Sequence, residues 1–343
     1  MQNVSKITFV ILGAIIGAGF ISGQEIYIFF NKFGINGIFG ILISGVIIGI
    51  TIKKTCKIIK ENNINTYEEF IEYVIPIKSK YLKLILNNII NIFLLISFFI
   101  MCTAFNSYFK QEFKIPIYIS GVINGILCLG VFLKSSKIII KANQILIPII
   151  LIAIVFLFFK NTTINYFEKI YFNIEILFAL LSGIIYASYN TILLIPILIT
   201  LKNYFTNNKQ IKTISLISCI VIICLSIIIY ILNSLLINVK NVEIPLIYIA
   251  DSQGIGYYYI YSFIILIAIF TSEISVGYGF LKNTFKKEKT YRKIGFLITL
   301  ISIPISYIGF SNLVSLLYPI FGVLGIIQIF FIVKYWKKTI LLI

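Results

Sequence analysis

Two carboxylates sit where charge is costly. Glu25 and Glu273 lie inside long apolar runs, and neither run holds a Lys or Arg at similar depth. If those runs cross a bilayer, a charged carboxylate at depth costs about 2.5–3.5 kcal/mol on insertion scales. Each must then be protonated, hydrated or paired with a cation. Glu25 lies toward the outer end of its run, so an interfacial carboxylate is an equal reading. Glu273 stands beside Thr271 and Ser272 in the inner part of its run and is the better candidate for coupling to a cation. The sequence has no His. That excludes histidine-based zinc sites, Ser-His triads and His proton relays. The five Cys show no metal-ligand spacing and read as small apolar packing residues.

Two further segments have the residues for a binding site. The first reads GAIIGAGFISGQE from Gly13 to Glu25. Glycine costs about 1 kcal/mol in a helix interior relative to Ala, and clustered glycines let the backbone leave helical geometry. Small residues four apart also let helices pack closely, and Gly13/Gly17 and Gly19/Gly23 have that spacing, so unwinding and packing both remain open. The second reads LSGIIYASYNTILLIP from Leu181 to Pro196 and places Tyr186, Ser188, Tyr189, Asn190 and Thr191 together. Polar groups at that depth need partners or water. Interhelical hydrogen bonding and a binding site are the two readings.

The elements that must carry these residues follow from composition. Of 343 residues, 59% are hydrophobic and 12% charged, and mean hydropathy is +1.03. A soluble domain, about a quarter charged, cannot hide so much apolar surface; an all-α integral membrane protein can expose it to lipid. Apolar runs of about 20 residues match a hydrocarbon core of roughly 30 Å. They predict ten spans, near 7–30, 36–56, 84–108, 115–133, 138–159, 173–200, 213–237, 256–281, 293–310 and 312–335. The acidic stretch 61–76 predicts a short amphipathic surface helix. Net charge is +17, yet the basic residues form no nucleic-acid patch. All but six of the 29 Lys and Arg fall at the termini and in alternate loops; the exceptions are Lys32, Lys110, Lys114, Lys160, Lys169 and Lys240. Such asymmetry predicts a multi-pass protein of the cell membrane with both termini cytoplasmic. Its partners are then the lipid bilayer and a small-molecule solute, with no nucleic acid.

Ten spans divide into residues 1–160 and 161–343, two five-helix sets of opposite orientation. Inverted repeats of this kind form sites from broken helices at matching places in each half. Span one and span six are those places.

GAIIGAGFISGQE, YASYN and FTSEISVGYGF (270–280) resemble the YkvI-type membrane proteins over essentially the whole chain. That family is ascribed amino-acid permease function and is distantly related to the amino acid–polyamine–organocation transporters. The resemblance implies a LeuT-like 5+5 inverted repeat with discontinuous helices 1 and 6. In such a fold Gly17, Ala18, Gly19, Phe20 and Ser22 would present backbone N–H groups to a substrate carboxylate. Tyr186, Ser188 and Asn190 would complete the polar wall, with Phe20 and Tyr189 over the substrate's side chain. The carbonyls of Gly13, Ile16 and Ala268 with the hydroxyls of Thr271 and Ser272 would resemble the sodium site of LeuT-like transporters. Hydroxyls in membrane helices also bond back to their own backbone. Glu25 and Glu273 are the coupling candidates, for sodium or a proton. The expected function is cation-coupled secondary transport of an amino acid or similar zwitterion by alternating access, with no cofactor. The alternative is a solute-binding receptor without transport. No P-loop, nucleophile–base pair or charged ring points to an ATP-driven pump, an enzyme or a channel.

Overall fold

The computed structural model describes residues 2–75, 80–132, 137–161, 174–235, 243–285 and 288–340. The connection 162–173 between the two halves lies outside them. So do Lys78, Lys134, Lys169, Lys240, Lys286 and Lys287 of the charge argument.

Helices satisfy their main-chain groups internally, which is what lipid demands, and the described residues form no strand. The chain opens with three short helices, α1 (Gln2–Ile15), α2 (Ala18–Ile21) and α3 (Gln24–Phe29). Then come α4 (Gly37–Glu61), α5 (Tyr67–Val74), α6 (Lys80–Phe113), α7 (Ile117–Phe132) and α8 (Lys137–Asn161). The second part holds α9 (Ile174–Thr200), α10 (Asn208–Ser234), α11 (Pro245–Asp251), α12 (Ile255–Thr284), α13 (Glu288–Ile305) and α14 (Phe310–Ile340). Helical segments therefore stand at all ten expected spans. Among the described residues, six are long and apolar enough to cross a membrane; the segments Val4–Ile15, Ile117–Phe132, Ile145–Lys160 and Lys293–Ile308 are apolar but shorter. At 1.5 Å per residue, α1 alone reaches only about 21 Å, so it needs α2 and α3 to complete a crossing.

The periphery is apolar. Phe159 is 72% exposed and Ile152 is 69% exposed, alongside exposed Ile126, Phe263 and Leu316. A water-facing surface carries no such continuous belt; a lipid-facing one does.

Helices five positions apart in the order of spans pack together: α1 on α9, α4 on α10, α6 on α12 and α7 on α13. A short helix follows the second span in each half, α5 in the first and α11 in the second. Close packing by small residues occurs, but on α4, α9 and α14. Gly40 faces the Ala179 carbonyl, Gly183 faces that of Gly40, and Gly325 faces that of Ser188.

The amphipathic helix expected in 61–76 is α5. Thr66 caps it by accepting from the Glu69 N–H at 3.1 Å, and the Glu69 carboxylate accepts from the Asn65 N–H at 2.7 Å. This reciprocal arrangement holds a helix start. Its apolar face of Tyr67, Phe70, Ile71 and Val74 is buried. Gln328 of α14 donates to the Tyr67 hydroxyl at 2.5 Å.

Span one is broken, as its glycines suggest. Span six is not: α9 is one continuous helix through Tyr186–Asn190 and past Pro196, which corrects the expected discontinuity. Three of its polar side chains return to their own helix. Ser188 donates to the Ile184 carbonyl, Asn190 to that of Tyr186 and Thr191 to that of Ala187, at 2.7–3.0 Å. Hydroxyl and amide demand is met within the helix, so no unwinding is needed to satisfy it.

Candidate functional site

The first break lies at Ile16–Gly17. The Gly17 N–H turns to the Ile15 carbonyl at 2.9 Å instead of the Gly13 carbonyl one turn back. The α2 helix then restarts from the Gly17 carbonyl, which accepts from Phe20 and Ile21, each at 3.1 Å. Across this break lies α12: a methyl group built on Gly17 would stand 3.8 Å from Ser272 Oγ. Span eight thus meets the break at one member of the expected sodium-like set. The Thr271 hydroxyl donates to its own helix at the Ala268 carbonyl, 3.1 Å away.

The second break is at Ser22–Gly23. Gly23 has φ +84, a left-handed conformation that glycine adopts at little cost. Each freed carbonyl here finds a donor. Ser22 Oγ donates to Gly19 O at 3.0 Å, Tyr261 to Ile21 O at 3.3 Å and the Leu246 N–H of α11 to Ser22 O at 3.1 Å. Asn233 of α10 donates to Gly23 O at 2.9 Å. Ser22 also accepts from the Gln24 N–H at 3.2 Å. Its role is therefore to close the break.

Beyond this knee, α3 turns Glu25 into the protein, where it is 3% exposed. Tyr189 of α9 donates to Glu25 Oε2 at 2.5 Å. Gly19 faces the Glu25 carboxyl so closely that a side chain there would collide with it. Around them stand Phe29, Phe30, Tyr186 and Tyr318. The ring of Tyr186 is 5.4 Å from Phe29 and 5.1 Å from Phe30, and Tyr189 lies 4.5 Å from Tyr318. The Tyr186 hydroxyl is buried beside the Glu25 carboxyl and makes no hydrogen bond of good geometry. The Gln24 amide donates to Ser311 of α14 at 2.5 Å, while its Oε1 is buried without a partner. Phe20 is fully buried.

So the structure gathers Gly19, Glu25, Tyr186 and Tyr189. Ser188 turns elsewhere, onto an apolar groove with Ile47, Thr51 and Ile326 between α4, α9 and α14. Asn190 points back along its own helix. The side chain of Ala18 lies outside the described residues. Tyr318, Asn233 and Gln24 complete the site and were not expected from the sequence. Gln24 directly follows the glycine motif, which is its one signal; Asn233 is a lone amide near the end of an apolar run.

Glu273 faces the other way from Ser272, toward α6 and α7, and is fully buried. Three donors meet on its Oε1: Asn124 Nδ2 at 2.8 Å and the thiols of Cys102 and Cys128 at 3.0 Å each. The two carboxylates therefore belong to two separate sites. Among the described residues, no group of three or more His, Cys, Asp and Glu is arranged to hold a metal ion.

No family model matches the chain. It is similar to the uncharacterized membrane protein YkvI of Bacillus subtilis, 28% identical over 329 residues covering 93% of this chain and 92% of that protein. It is also similar to the uncharacterized protein YyaD of the same organism, 24% identical with 92% of each chain covered. These matches bear out the resemblance seen in the motifs. Among solved structures, two variants of the manganese transporter of Eremococcus coleocola superpose with TM-score 0.56 at 13% identity. They cover 94% of this chain and 76% of theirs. The chain shares the fold of a membrane transporter.

Proposed function

We propose that this protein is a secondary transporter of an amino acid or similar small zwitterion, working by alternating access with a coupled cation. One observation carries the reading: a helix broken at two places sets a buried carboxylate, Glu25, against two phenols of the facing helix. Unbroken apolar packing does not need such a knee. Broken helices that line a midplane site are the device by which transporters enclose a polar solute.

The solute's amine faces Glu25, Tyr189 and the Tyr186 hydroxyl, and its side chain lies on the rings of Phe20, Phe29 and Tyr318. Its carboxylate takes the main chain at Gly17–Gly19. A single-turn helix such as α2 has little dipole of its own, so the amine end carries more of the recognition. The manganese transporters share the fold, yet a metal cargo suits this site poorly, with one carboxylate set among aromatic rings. The pairing of the first four spans with those five places on, together with α5 and α11 at matching positions, supports a LeuT-like 5+5 repeat of 1–160 and 161–343. The Lys and Arg distribution favours the cell membrane with cytoplasmic termini. Of the sodium-like set Gly13, Ile16, Ala268, Thr271 and Ser272, the Ala268 carbonyl already accepts from the Thr271 hydroxyl, so the set is given no part in the coupling.

The test is uptake of a labelled amino-acid panel into proteoliposomes, with and without sodium and pH gradients. Saturable, gradient-driven accumulation is expected. Binding without accumulation would make the protein a receptor, and accumulation of manganese(II) alone would replace the zwitterion as cargo.

A further inference from the structure

Away from the broken helix, α6, α7, α12 and α13 enclose a polar layer with an apolar floor. At its centre is Glu273, with Oε1 held by Cys102, Asn124 and Cys128. Its Oε2 is buried and has no partner. One helical turn along each helix toward the basic loops, the layer ends. The residues there are Phe98 on α6, Phe132 on α7 and Gly277 on α12. The two rings lie 5.9 Å apart. A methyl group on Gly277 would come within 2.7 Å of both. That floor offers no polar atom to water or an ion.

In the other direction the polar groups continue. Asn106 on α6 donates to Ser306, at the end of α13, at 2.9 Å, and Thr103 lies 3.4 Å from the same hydroxyl. The Asn106 Oδ1 is buried and unpartnered. Farther along α6, Tyr108 shares a 2.7 Å hydrogen bond with Ser262 of α12, and Tyr258 donates to Glu112 at 2.6 Å. The polar groups thus run from Glu273 to one end of the bundle only, the end remote from the basic loops.

We propose that Glu273 is the proton-carrying group of the transport cycle, reached from the end remote from the basic loops through the polar layer of α6, α7, α12 and α13. This rests on the transporter reading above and names its coupling ion. The groups that face the carboxylate decide between a proton and sodium. Cys102 from α6 and Cys128 from α7 are the titratable ones, and both donate to it. No Lys, Arg or second carboxylate among the described residues acts on it from α2, α8, α11 or α13. Three donors on one oxygen leave no set of oxygens for sodium, which takes several. A proton needs only Oε2. Glu273 takes it from water on one side and returns it to water on the other; no other bond changes. Conformational exchange must open the Phe98–Phe132 floor for release.

Infrared difference spectra of the protein in lipid nanodiscs, wild type against Glu273→Gln, read the carboxyl group directly. A protonated carboxyl band belonging to Glu273 is expected, insensitive to sodium and shifted in Asn124→Ala. A carboxylate band in its place at neutral pH would overturn the proposal. The route is read as proton flux into liposomes under an imposed pH gradient. Phe132→Ala should raise the leak about tenfold, equivalent to roughly 1.4 kcal/mol off the barrier. Adding Glu273→Gln should restore the wild-type level. An undiminished leak in the double variant would overturn the route. Monodisperse elution of each variant, with Cys102→Ser as a donor-preserving control, separates these outcomes from misfolding. Proton-driven amino-acid uptake that persists unchanged in Glu273→Gln would defeat this assignment and leave the transporter reading intact. Absence of any uptake alongside the expected band and leak would do the reverse.

Discussion

Glu25 and Glu273 are both buried carboxylates in apolar surroundings, and they are held in opposite ways. Glu25 follows a left-handed knee, on a helix six residues long, and meets one phenol at 2.5 Å with aromatic rings behind it. Glu273 lies within an unbroken helix of 30 residues, and three donors from two other helices converge on one of its oxygens. The first site is built by breaking main chain and is backed by movable side chains. The second is built wholly from side chains on continuous rods. A pocket that admits and releases a molecule needs the former; a group that must hold one small ion at a fixed place is served by the latter.

The largest test of this contrast is Glu25→Ala in the proteoliposome assay. Removing one partner from a buried charged pair costs roughly 3–5 kcal/mol, so uptake should fall by more than about 100-fold while the proton band of Glu273 stays. Equal loss of both signals would merge the two sites into one. Next is Gly23→Ala. A left-handed residue costs about 1–2 kcal/mol, and the added methyl would stand 2.8 Å from Asn233 Oδ1. Thermal unfolding in detergent should shift down by several degrees. Gly279→Ala, on α12 where a methyl meets nothing within 4 Å, should leave the midpoint unchanged or slightly raised. Smaller still is Tyr189→Phe, which leaves Glu25 Oε2 without its donor at a cost of about 1–3 kcal/mol. It should weaken uptake more than it weakens stability. Tyr186→Phe is the mildest and the sharpest. Its hydroxyl makes no hydrogen bond of good geometry, so stability should move by less than about 0.5 kcal/mol. A fall in apparent solute affinity would then place the solute on that hydroxyl, and unchanged uptake would remove Tyr186 from the contact set.

Much of the framework was legible in the sequence. Six of the ten apolar runs are, among the described residues, helices long and apolar enough to cross a membrane, and the other four hold shorter apolar helices, because lipid-compatible length leaves a coarse, robust signal. The glycine segment was legible as one that could unwind or pack closely, but the knee at Gly23 was not, since clustered glycines serve both ends and do not say which of them turns left-handed. The continuity of α9 was not legible either, since a Ser, Thr or Asn that bonds back to its own helix looks, in sequence, like one that seeks a partner. The cage of Glu273 was hidden for a different reason. Cys102, Asn124 and Cys128 are ordinary polar insertions in apolar runs, and only the packing of α6 and α7 on α12 makes them neighbours.

The donors at Gly23 come from far along the chain. Asn233 follows it by 210 residues, and the Leu246 N–H that donates to the Ser22 carbonyl lies later still. A ribosome adding about 5–20 residues per second needs roughly 10–40 s to deliver them. During that interval the Ser22 carbonyl lacks its donor. Nascent chains arrested before Asn233 should therefore leave that segment loosely inserted and open to cleavage by membrane proteases. Its final seating is an event of late biosynthesis, fixed only when α10 and α11 have emerged.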